Sequence, residues 1–437
     1  MRRLRSERRR PGVITPLIGL AACVLSACAG ERPASAPGPL HHAGAAGGTP
    51  TATSPGGAAS APATGSADPV DVYAHDRPGM LSPVVARFPE RVYVPNSESN
   101  TVSVIDPRTY RVLRTFRVDG RPQHVVPSWD LKTLWVNNND GNSLTPINPM
   151  TGKVGKPVFV DDPYNLYFTP DGRTALVMAE RENRLDFLNP RTMRLRHSLH
   201  MPCRGINHAD FTADGTLLLG SCEFSGQLVV IDTAARKVRA VIDLADGTTR
   251  RKGIRRTAPQ GDNASYELEH DMAHDAMRHG HMPYPNMPQD VKLSPDGTTF
   301  YVADMAKDGV WLVDAGEFRV TGFVKTGAGA HGLYVSRDSE VLYVSNRGAG
   351  SVSVVSFALR QPIDTWHIPG GGSPDMGGVS ADGRRLWLSG RYDGVVYVFD
   401  TENGSLIRKI AVDAGPHGLA IYPQPGRYSL GHTGVFR

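Results

Sequence analysis

The sequence contains little cysteine and none of the short motifs that position common catalytic groups. It has four cysteines in 437 residues, and none are spaced as CxxC, which argues against a dithiol redox centre or a cysteine-rich zinc site. It has no CxxCH for covalent haem and no GxSxG nucleophile elbow. No paired carboxylates form a recognisable pocket motif. These absences favour a binding protein over an enzyme.

The sequence also lacks a large excess of charge once its first residues are set aside. The formal net charge is +5, but residues 1–27 contain six arginines and one glutamate, which leaves 42 basic and 42 acidic residues in the rest. The basic isoelectric point therefore belongs largely to the N-terminal segment. A chain with so balanced a charge offers no general electrostatic attraction for nucleic acid, and we expect no nucleic-acid partner.

The apolar run near the N-terminus is too short to anchor the chain as a membrane span. MRRLRSERRR is followed by PGVITPLIGLAACVL, a basic segment and a short apolar segment that are typical of an export signal. The stretch Leu25-Ser26-Ala27-Cys28 resembles the lipobox of bacterial lipoproteins. This resemblance implies that residues 1–27 are a lipoprotein signal peptide and that Cys28 is lipidated, so that the chain is anchored to the cell membrane on its extracytoplasmic face. The alternative is an ordinary secretory signal, which also predicts export.

Two further segments follow from this assignment. Residues 28–70 are almost wholly Ala, Gly, Pro, Ser and Thr, which predicts a flexible tether. Residues 71–437 are long enough for one large domain. Cys203 and Cys222 are the cysteines that remain, and an oxidising compartment favours a disulfide between them. The alternative is a thiolate metal site with His200 and His208.

The domain is built from seven similar segments. Each is an apolar strand, a polar turn and a second alternating strand that ends near a polar residue. The segments are YVPNSESNTVSVIDP (93–107), WVNNNDGNSLTPINP (135–149), LVMAERENRLDFLNP (176–190), LLGSCEFSGQLVVIDT (218–233), YVADMAKDGVWLVDA (301–315), YVSNRGAGSVSVVSF (343–357) and WLSGRYDGVVYVFDT (387–401). Their closing polar residues are spaced by 42, 41, 43, 82, 42 and 44 residues. Four short strands in about 40 residues are typical of a β-propeller blade.

The strands WVNN, YVSN and SVSVID and the segment PHGLA resemble the YVTN-repeat, YncE-like family of β-propellers. The resemblance covers about residues 90–425 and implies an all-β, seven-bladed propeller of four-stranded antiparallel blades. We expect the ring to close when HGLAIYP (417–423) pairs with the first repeat, near residues 91–118.

The doubled spacing marks an insertion at residues 245–289, which contain no alternating strand pair. The insertion is rich in candidate metal ligands: His270, Met272, His274, Met277, His279, His281 and Met282. Imidazole with thioether suits copper, and imidazole with aspartate suits zinc. The alternatives are a lid over the channel and a disordered metal-scavenging loop.

A second set of candidate ligands recurs where each innermost strand begins. Antiparallel order places these positions on the face that carries the connections between blades, here called the connection face, where the insertion also leaves the ring. The equivalent residues are His124, Asn165, His208, Asp290, His331, Asp375 and His417. We therefore predict a His/carboxylate metal site at the channel mouth, with His124, His208, His331 and His417 as imidazole ligands. The alternative is that these histidines only hydrogen-bond neighbouring backbone.

Together these features predict an exported propeller that binds copper or zinc. Two other hypotheses stay open. The first is a cell-surface scaffold or protein-interaction propeller without metal. The second is a redox propeller related to the haem d1 domain or the quinoproteins, in which a channel histidine would ligate noncovalent haem.

Overall fold

The computed structural model describes residues 70–254, Met272, Ala276, 281–432 and 435–437. Within these ranges the chain forms seven antiparallel sheets, the blades of one propeller. The described residues include no helix that is long and apolar enough to cross a membrane. The signal peptide, the tether and lipidated Cys28 lie outside these ranges and stay predictions.

Blades two to seven are each built in chain order from the innermost strand outward, whereas blade one begins with its second strand. Blade one contains β1 (Arg91–Asn96), β2 (Thr101–Asp106) and β3 (Arg111–Arg117), and blade two contains β4 (Pro122–Pro127), β5 (Leu134–Asn138), β6 (Ser143–Ile147) and β7 (Val158–Phe159). Blade three contains β8 (Pro163–Phe168), β9 (Ala175–Ala179), β10 (Arg184–Leu188) and β11 (Leu195–His200). Blade four contains β12 (Ile206–Phe211), β13 (Leu217–Cys222), β14 (Gln227–Asp232), β15 (Lys237–Asp243) and β16 (Thr249–Arg250), with a 3-10 turn at Glu223–Ser225.

The remaining blades repeat this order. Blade five contains β17 (Pro288–Leu293), β18 (Thr299–Asp304), β19 (Gly309–Asp314) and β20 (Val320–Lys325). Blade six contains β21 (Ala330–Val335), β22 (Val341–Asn346), β23 (Ser351–Ser356) and β24 (Gln361–His367). Blade seven contains β25 (Pro374–Val379), β26 (Arg385–Gly390), β27 (Val395–Asp400) and β28 (Leu406–Ala411). The predicted all-β, seven-bladed fold is confirmed.

The recurring S/T-x-D-G stretches form the turns between the first and second strands of four blades. In blade four the Thr212 hydroxyl accepts the Leu217 N–H at 3.1 Å and donates to the Asp214 carboxylate. Gly215 has a φ of 70°, a left-handed conformation that costs glycine little. These local bonds replace ladder hydrogen bonds at the turn and fix where the first strand ends and the second begins.

The hydrophobic core lies between neighbouring blades. The three inner strands of a blade are almost wholly buried, whereas outer strands such as β3 are largely exposed. Between blades seven and one, Trp387 packs with Val92 and Val94, and all three are at most 1% exposed. Each large apolar side chain buried in this way contributes about 1.5–3 kcal/mol. The ring is therefore held together by contacts that no single blade can make alone.

The ring closes as the repeats predicted. Strand β29 (Ala420–Tyr422) pairs with β1 in antiparallel register, with Arg91 opposite Tyr422 and Tyr93 opposite Ala420. The last segment of the chain therefore supplies the innermost strand of the first blade.

The chain then continues into a hairpin that the repeats did not predict. Strands β30 (Ser429–Gly431) and β31 (Val435–Phe436) pair with each other, and β30 pairs with β8 on the channel side of blade three. The His432 N–H donates to the Leu166 carbonyl at 2.8 Å. Residues 429–432 and 435–437, here called the C-terminal hairpin, therefore line the inside of the channel.

The insertion begins with a short strand along the outside of blade four. Strand β16 pairs with β15, and the Thr249 hydroxyl donates to the Phe318 carbonyl of blade five at 2.8 Å. The chain re-enters the ring through Asn286 and Met287, which are 2% and 0% exposed. The start and the end of the insertion are thus both packed against the propeller.

Candidate functional site

The predicted residues of the inner strands converge in the channel. The channel ring is defined here as His124, Asn165, His208, Asp290, His331, Asp375 and His417, which are all at most 2% exposed. In six of the seven blades the pairing of the two innermost strands shifts register at this residue. Such bulges redirect a side chain, which explains how each blade can aim one polar group into the channel.

The imidazoles of the channel ring are close neighbours. The ring centroid of His124 lies 4.9 Å from that of His417 and 5.4 Å from that of His208. The centroids of His331 and His417 are 6.1 Å apart. The four predicted histidines thus form one cluster in the middle of the molecule, whereas their role as metal ligands stays a prediction.

Blades six and seven and the closing segment bring together the first potential ligand set. The ligand atoms of His331, Asp375 and His417 all lie within 4.8 Å of one another. His331 Nδ1 lies 3.0 Å from Asp375 Oδ1, and His417 Nε2 lies 3.5 Å from Asp375 Oδ2. Two imidazoles and one carboxylate are a donor set that zinc and other divalent transition metals accept.

The hydrogen bonds of this set leave lone pairs that face the channel. His417 Nδ1 lies 3.1 Å from the Gln123 carbonyl oxygen, an acceptor, so Nδ1 carries the proton and Nε2 is an open acceptor. Asp375 Oδ2, which faces Nε2, receives no hydrogen bond from the described residues. Two acceptors 3.5 Å apart repel each other unless a cation or a proton lies between them.

His124 lies beside this set and has no hydrogen-bond partner among the described residues. Both of its ring nitrogens are buried and unsatisfied. A buried polar group without a partner costs about 1–3 kcal/mol, so such a group in a native site calls for an explanation. A ligand in the channel would explain it, because the ligand could bind a ring nitrogen of His124.

The protonation states suit a cation. Burial holds the pKa of His124, His208 and His417 well below the usual value of an imidazole. Burial alone would raise the pKa of the Asp375 carboxyl, but Arg347, whose Nη2 lies 2.6 Å away, brings it well below its usual value. Neutral imidazoles and an ionised carboxylate are the forms that bind metal.

A second potential ligand set contains a residue that the sequence analysis missed. The ligand atoms of His208, Asp290 and His432 also lie within 4.8 Å of one another, and His432 Nε2 is 3.3 Å from Asp290 Oδ1. His432 comes from the C-terminal hairpin, which follows the last blade strand and matches no repeat. No pattern in the sequence marked it as a partner of blades four and five.

Asn165 makes the second set a poorer metal site than the first. Its side-chain oxygen accepts the Leu166 N–H at 2.9 Å, so its amide nitrogen faces Nδ1 of His208 at 3.1 Å and Nδ1 of His432 at 3.0 Å. Each Nδ1 then accepts a hydrogen bond, which leaves the proton of each neutral ring on Nε2. Those protons occupy the positions that a metal would need.

A second layer, polar except for Met305, lies nearer the connection face. The mouth ring is defined here as the residue that directly follows the second strand of each blade, namely Ser97, Asn139, Glu180, Glu223, Met305, Arg347 and Arg391. Its charged members are at most 8% exposed, with acidic residues on blades three and four and basic residues on blades six and seven. The sequence analysis missed this layer, although its fixed position in each repeat was a usable signal.

Of the seven ligands predicted in the insertion, the structure describes Met272, His281 and Met282. Met272 is 63% exposed and His281 is exposed. Met282 packs instead against an apolar cluster of Phe224, Met287 and Met305. The remaining predicted ligands His270, His274, Met277 and His279 lie outside the described residues, so their role stays a prediction.

The two cysteines form a disulfide at the edge of blade four. Cys203 and Cys222 have an S–S distance of 2.06 Å and join the connection before β12 to the end of β13. Neither sulfur is therefore a free thiolate that could ligate a metal with His200 and His208.

The sequence and the fold were compared with known proteins. The model of the YncE-like β-propeller family matches residues 79–192 and 262–425, which confirms the resemblance seen in the repeats. A search of the curated proteins finds no match.

Solved structures share the fold at low sequence identity. Kuenenia stuttgartiensis hydrazine synthase has a TM-score of 0.53 at 16% identity, over 75% of this chain and 96% of that one. A functionally unknown protein from Desulfotomaculum acetoxidans has a TM-score of 0.54 at 15% identity, over 76% and 98%. The dihydro-haem d1 dehydrogenase NirN, in complex with DHE, has a TM-score of 0.52 at 13% identity, over 78% and 76%. Such likeness concerns the fold alone.

Proposed function

Because the chain belongs to the YncE-like β-propeller family, we propose that it binds its ligand in the central channel and that this ligand is a zinc or copper ion. The observation that carries the proposal is the pair of facing acceptors, His417 Nε2 and Asp375 Oδ2, 3.5 Å apart with His331 beside them. A divalent cation would turn this repulsion into coordination. Its binding site would be the set His331, Asp375 and His417, with His124 as a nearby third imidazole.

The surroundings of this set support the proposal. The Gln123 carbonyl fixes the tautomer of His417, which is the usual role of a second-shell acceptor at a metal site. Met376 places its sulfur 3.1 Å from His331 Nδ1, and a thioether favours copper over zinc. The channel therefore has donors for either ion.

A tetrapyrrole is the main competing ligand, since NirN is a dihydro-haem d1 dehydrogenase in complex with DHE. The centroids of His124, His208 and His417 lie too close together to admit a macrocycle between them, at 4.9–5.4 Å from His124. The spacing of the imidazoles favours a single ion over the redox alternative.

Metal titration of the full chain tests the proposal. After treatment with a chelator, the protein should bind one zinc or copper ion with a Kd below about 1 μM. Substituting His417→Ala or His331→Ala should weaken this binding by at least about a hundredfold, because each removes a ligand. The matched control is His367→Ala, since His367 is exposed on β24 and distant from the channel ring.

A loop deletion separates the channel from the insertion. Residues 262–281 are removed while Met282 to Met287 are kept, because Asn286 and Met287 are buried in the propeller. Binding that survives this deletion but not the channel substitutions assigns the ion to the channel. The reverse pattern assigns it to the Met/His-rich insertion. If the wild-type chain binds neither metal, the metal proposal is wrong and the hypothesis of a protein-interaction propeller is favoured.

A further inference from the structure

We infer that the channel mouth is a binding site for a small oxyanion, a carboxylate or a phosphate, centred on Arg391. Arg391 belongs to the mouth ring, directly follows β26 and is 8% exposed. Its Nη1 donates to the Ser97 hydroxyl at 2.7 Å and to the Gly415 carbonyl at 3.2 Å. No carboxylate among the residues that the structure describes forms an ion pair with it.

The unused donors of Arg391 indicate a missing partner. A guanidinium has five N–H donors, and the contacts of Nη1 account for two of them. The Nε and Nη2 donors have no acceptor within the described part of the chain. A buried charge without a close counter-ion is unfavourable, so proteins usually pair or neutralise it. An anion that enters from the connection face would provide the missing acceptors.

Arg347, the other arginine of the mouth ring, has the close carboxylate partner that Arg391 lacks in the described structure. Burial would lower the pKa of both guanidiniums, but Asp375 outweighs burial at Arg347 and raises its pKa, whereas the pKa of Arg391 stays lowered. Arg347 donates to Asp375 from Nε and Nη2, while the one acceptor of its Nη1 in the described part of the chain is the Met305 sulfur at 3.6 Å. Thus Arg347 Nη1 and the Nε and Nη2 of Arg391 have no oxygen acceptor among the described residues.

The site suits a small anion rather than a polymer. Guanidinium groups bind the two oxygens of a carboxylate or phosphate in a fork-like geometry. Because Arg391 is only 8% exposed, we expect a small anion to reach its guanidinium more readily than an extended chain of phosphates. The acidic residues of the mouth ring, Glu180 and Glu223, follow strands of blades three and four, so like charge disfavours an anion there and favours the side of blades six and seven.

This inference goes beyond the metal site and can be tested without metal. Sodium acetate and inorganic phosphate are titrated separately into the chelator-treated full chain by calorimetry, in a buffer whose only other anion is chloride. We expect one anion per chain for at least one of the probes. Arg391→Gln should weaken its binding by about tenfold to a hundredfold, the range of a lost charge-assisted hydrogen bond. Arg391→Lys should retain part of it.

The controls separate binding from folding. Arg108→Gln removes an exposed arginine of blade one and should leave anion binding unchanged. Without anion, Arg391→Gln should unfold at a temperature no lower than the wild type, because it removes an unpaired buried charge. The anion should raise the unfolding temperature of the wild type and not that of Arg391→Gln.

Several results would overturn the inference. The first is that neither probe binds saturably below about 10 mM. The second is that Arg391→Gln binds the anion as tightly as the wild type. The third is that Arg391→Gln unfolds at a lower temperature than the wild type without anion, which would make Arg391 a structural residue. Because these titrations contain no metal, their failure leaves the zinc and copper result standing. In the same way, a failed metal titration leaves the anion result standing.

Discussion

At the scale of single residues, the channel histidines differ in what orients them. His417 is held by a backbone carbonyl and His331 by the Asp375 carboxylate, whereas His124 has no hydrogen bond in the described structure. The His124 ring is instead held by packing, because it contacts Tyr164, His208 and His417 edge-on. A ring that is positioned by packing alone should be displaced by any atom added beside it.

Gly418 provides the test of this packing. A Cβ at position 418 would lie 2.0 Å from His124 Nδ1, so Gly418→Ala must displace the buried ring. We expect a loss of about 1–3 kcal/mol in the free energy of unfolding, measured by urea denaturation. Gly316→Ala is the matched control, since its Cβ would meet only Asp314 at 3.5 Å. If the double substitution Gly418→Ala, His124→Ala is as unstable as Gly418→Ala alone, the clash is not the cause.

The repeats predicted the residues of the channel ring because position in a blade determines position in space. His124, His331 and Asp375 were found by alignment of equivalent strand starts, and the structure brings them together. The hydrogen bonds that distinguish them could not be predicted. They depend on groups from other blades and on the C-terminal hairpin, such as the Gln123 carbonyl for His417.

At the scale of elements, the C-terminal hairpin is the feature that the sequence did not predict. It adds two short strands to the inner edge of blade three and places His432 beside Asp290. Its strands are three and two residues long, too short to show alternation, and they pair with a strand far away in sequence. Repeat patterns reveal what recurs in every blade, and this hairpin occurs once.

The hairpin is held by a buried ion pair that can be broken. Arg437 Nη2 lies 3.0 Å from Asp210 Oδ1, and its guanidinium lies 4.6 Å from the centre of the Tyr73 ring. Replacing Arg437 by Gln leaves a buried carboxylate uncompensated and should cost about 3–5 kcal/mol. Hydrogen exchange should then show lost protection at Ser429 to Gly431. Arg427→Gln, an exposed change on the approach to the hairpin, should leave this protection intact. Equal exchange in both variants would contradict the assigned role of the ion pair.

At the scale of the whole molecule, the ring holds many ionisable groups away from water at its centre. Burial lowers the pKa of the imidazoles His124, His208, His331, His417 and His432 from the usual value of 6.5. These side chains stay neutral in the folded chain but protonate in the unfolded chain below about pH 6.5. The unfolded state therefore binds more protons, and stability is lost as the pH falls through this range.

Carboxyls whose pKa is raised by burial act in the opposite direction. They are Glu90, Asp186, Asp76 and Asp162, and the last two have the large shifts. Burial raises the pKa of Asp76 to about 6 and that of Asp162 to about 7, so each takes up a proton in the folded state first and gains stability as the pH falls. The five imidazoles outnumber these four carboxyls, so on balance the free energy of unfolding should decrease as the pH falls. Each unmatched imidazole contributes up to about 1.4 kcal/mol per pH unit.

Urea unfolding of the chelator-treated chain at pH 8, 7, 6 and 5 measures this dependence directly. We expect a flat free energy of unfolding between pH 8 and 7 and a steep decline from pH 6 to 5. His432→Gln should reduce the slope, because the variant keeps a neutral side chain in both states, whereas the exposed His367→Ala should not. A free energy that is constant or rising between pH 7 and 5 would mean that the channel imidazoles are protonated when folded. In that case they could not serve as metal ligands at neutral pH without first losing a proton.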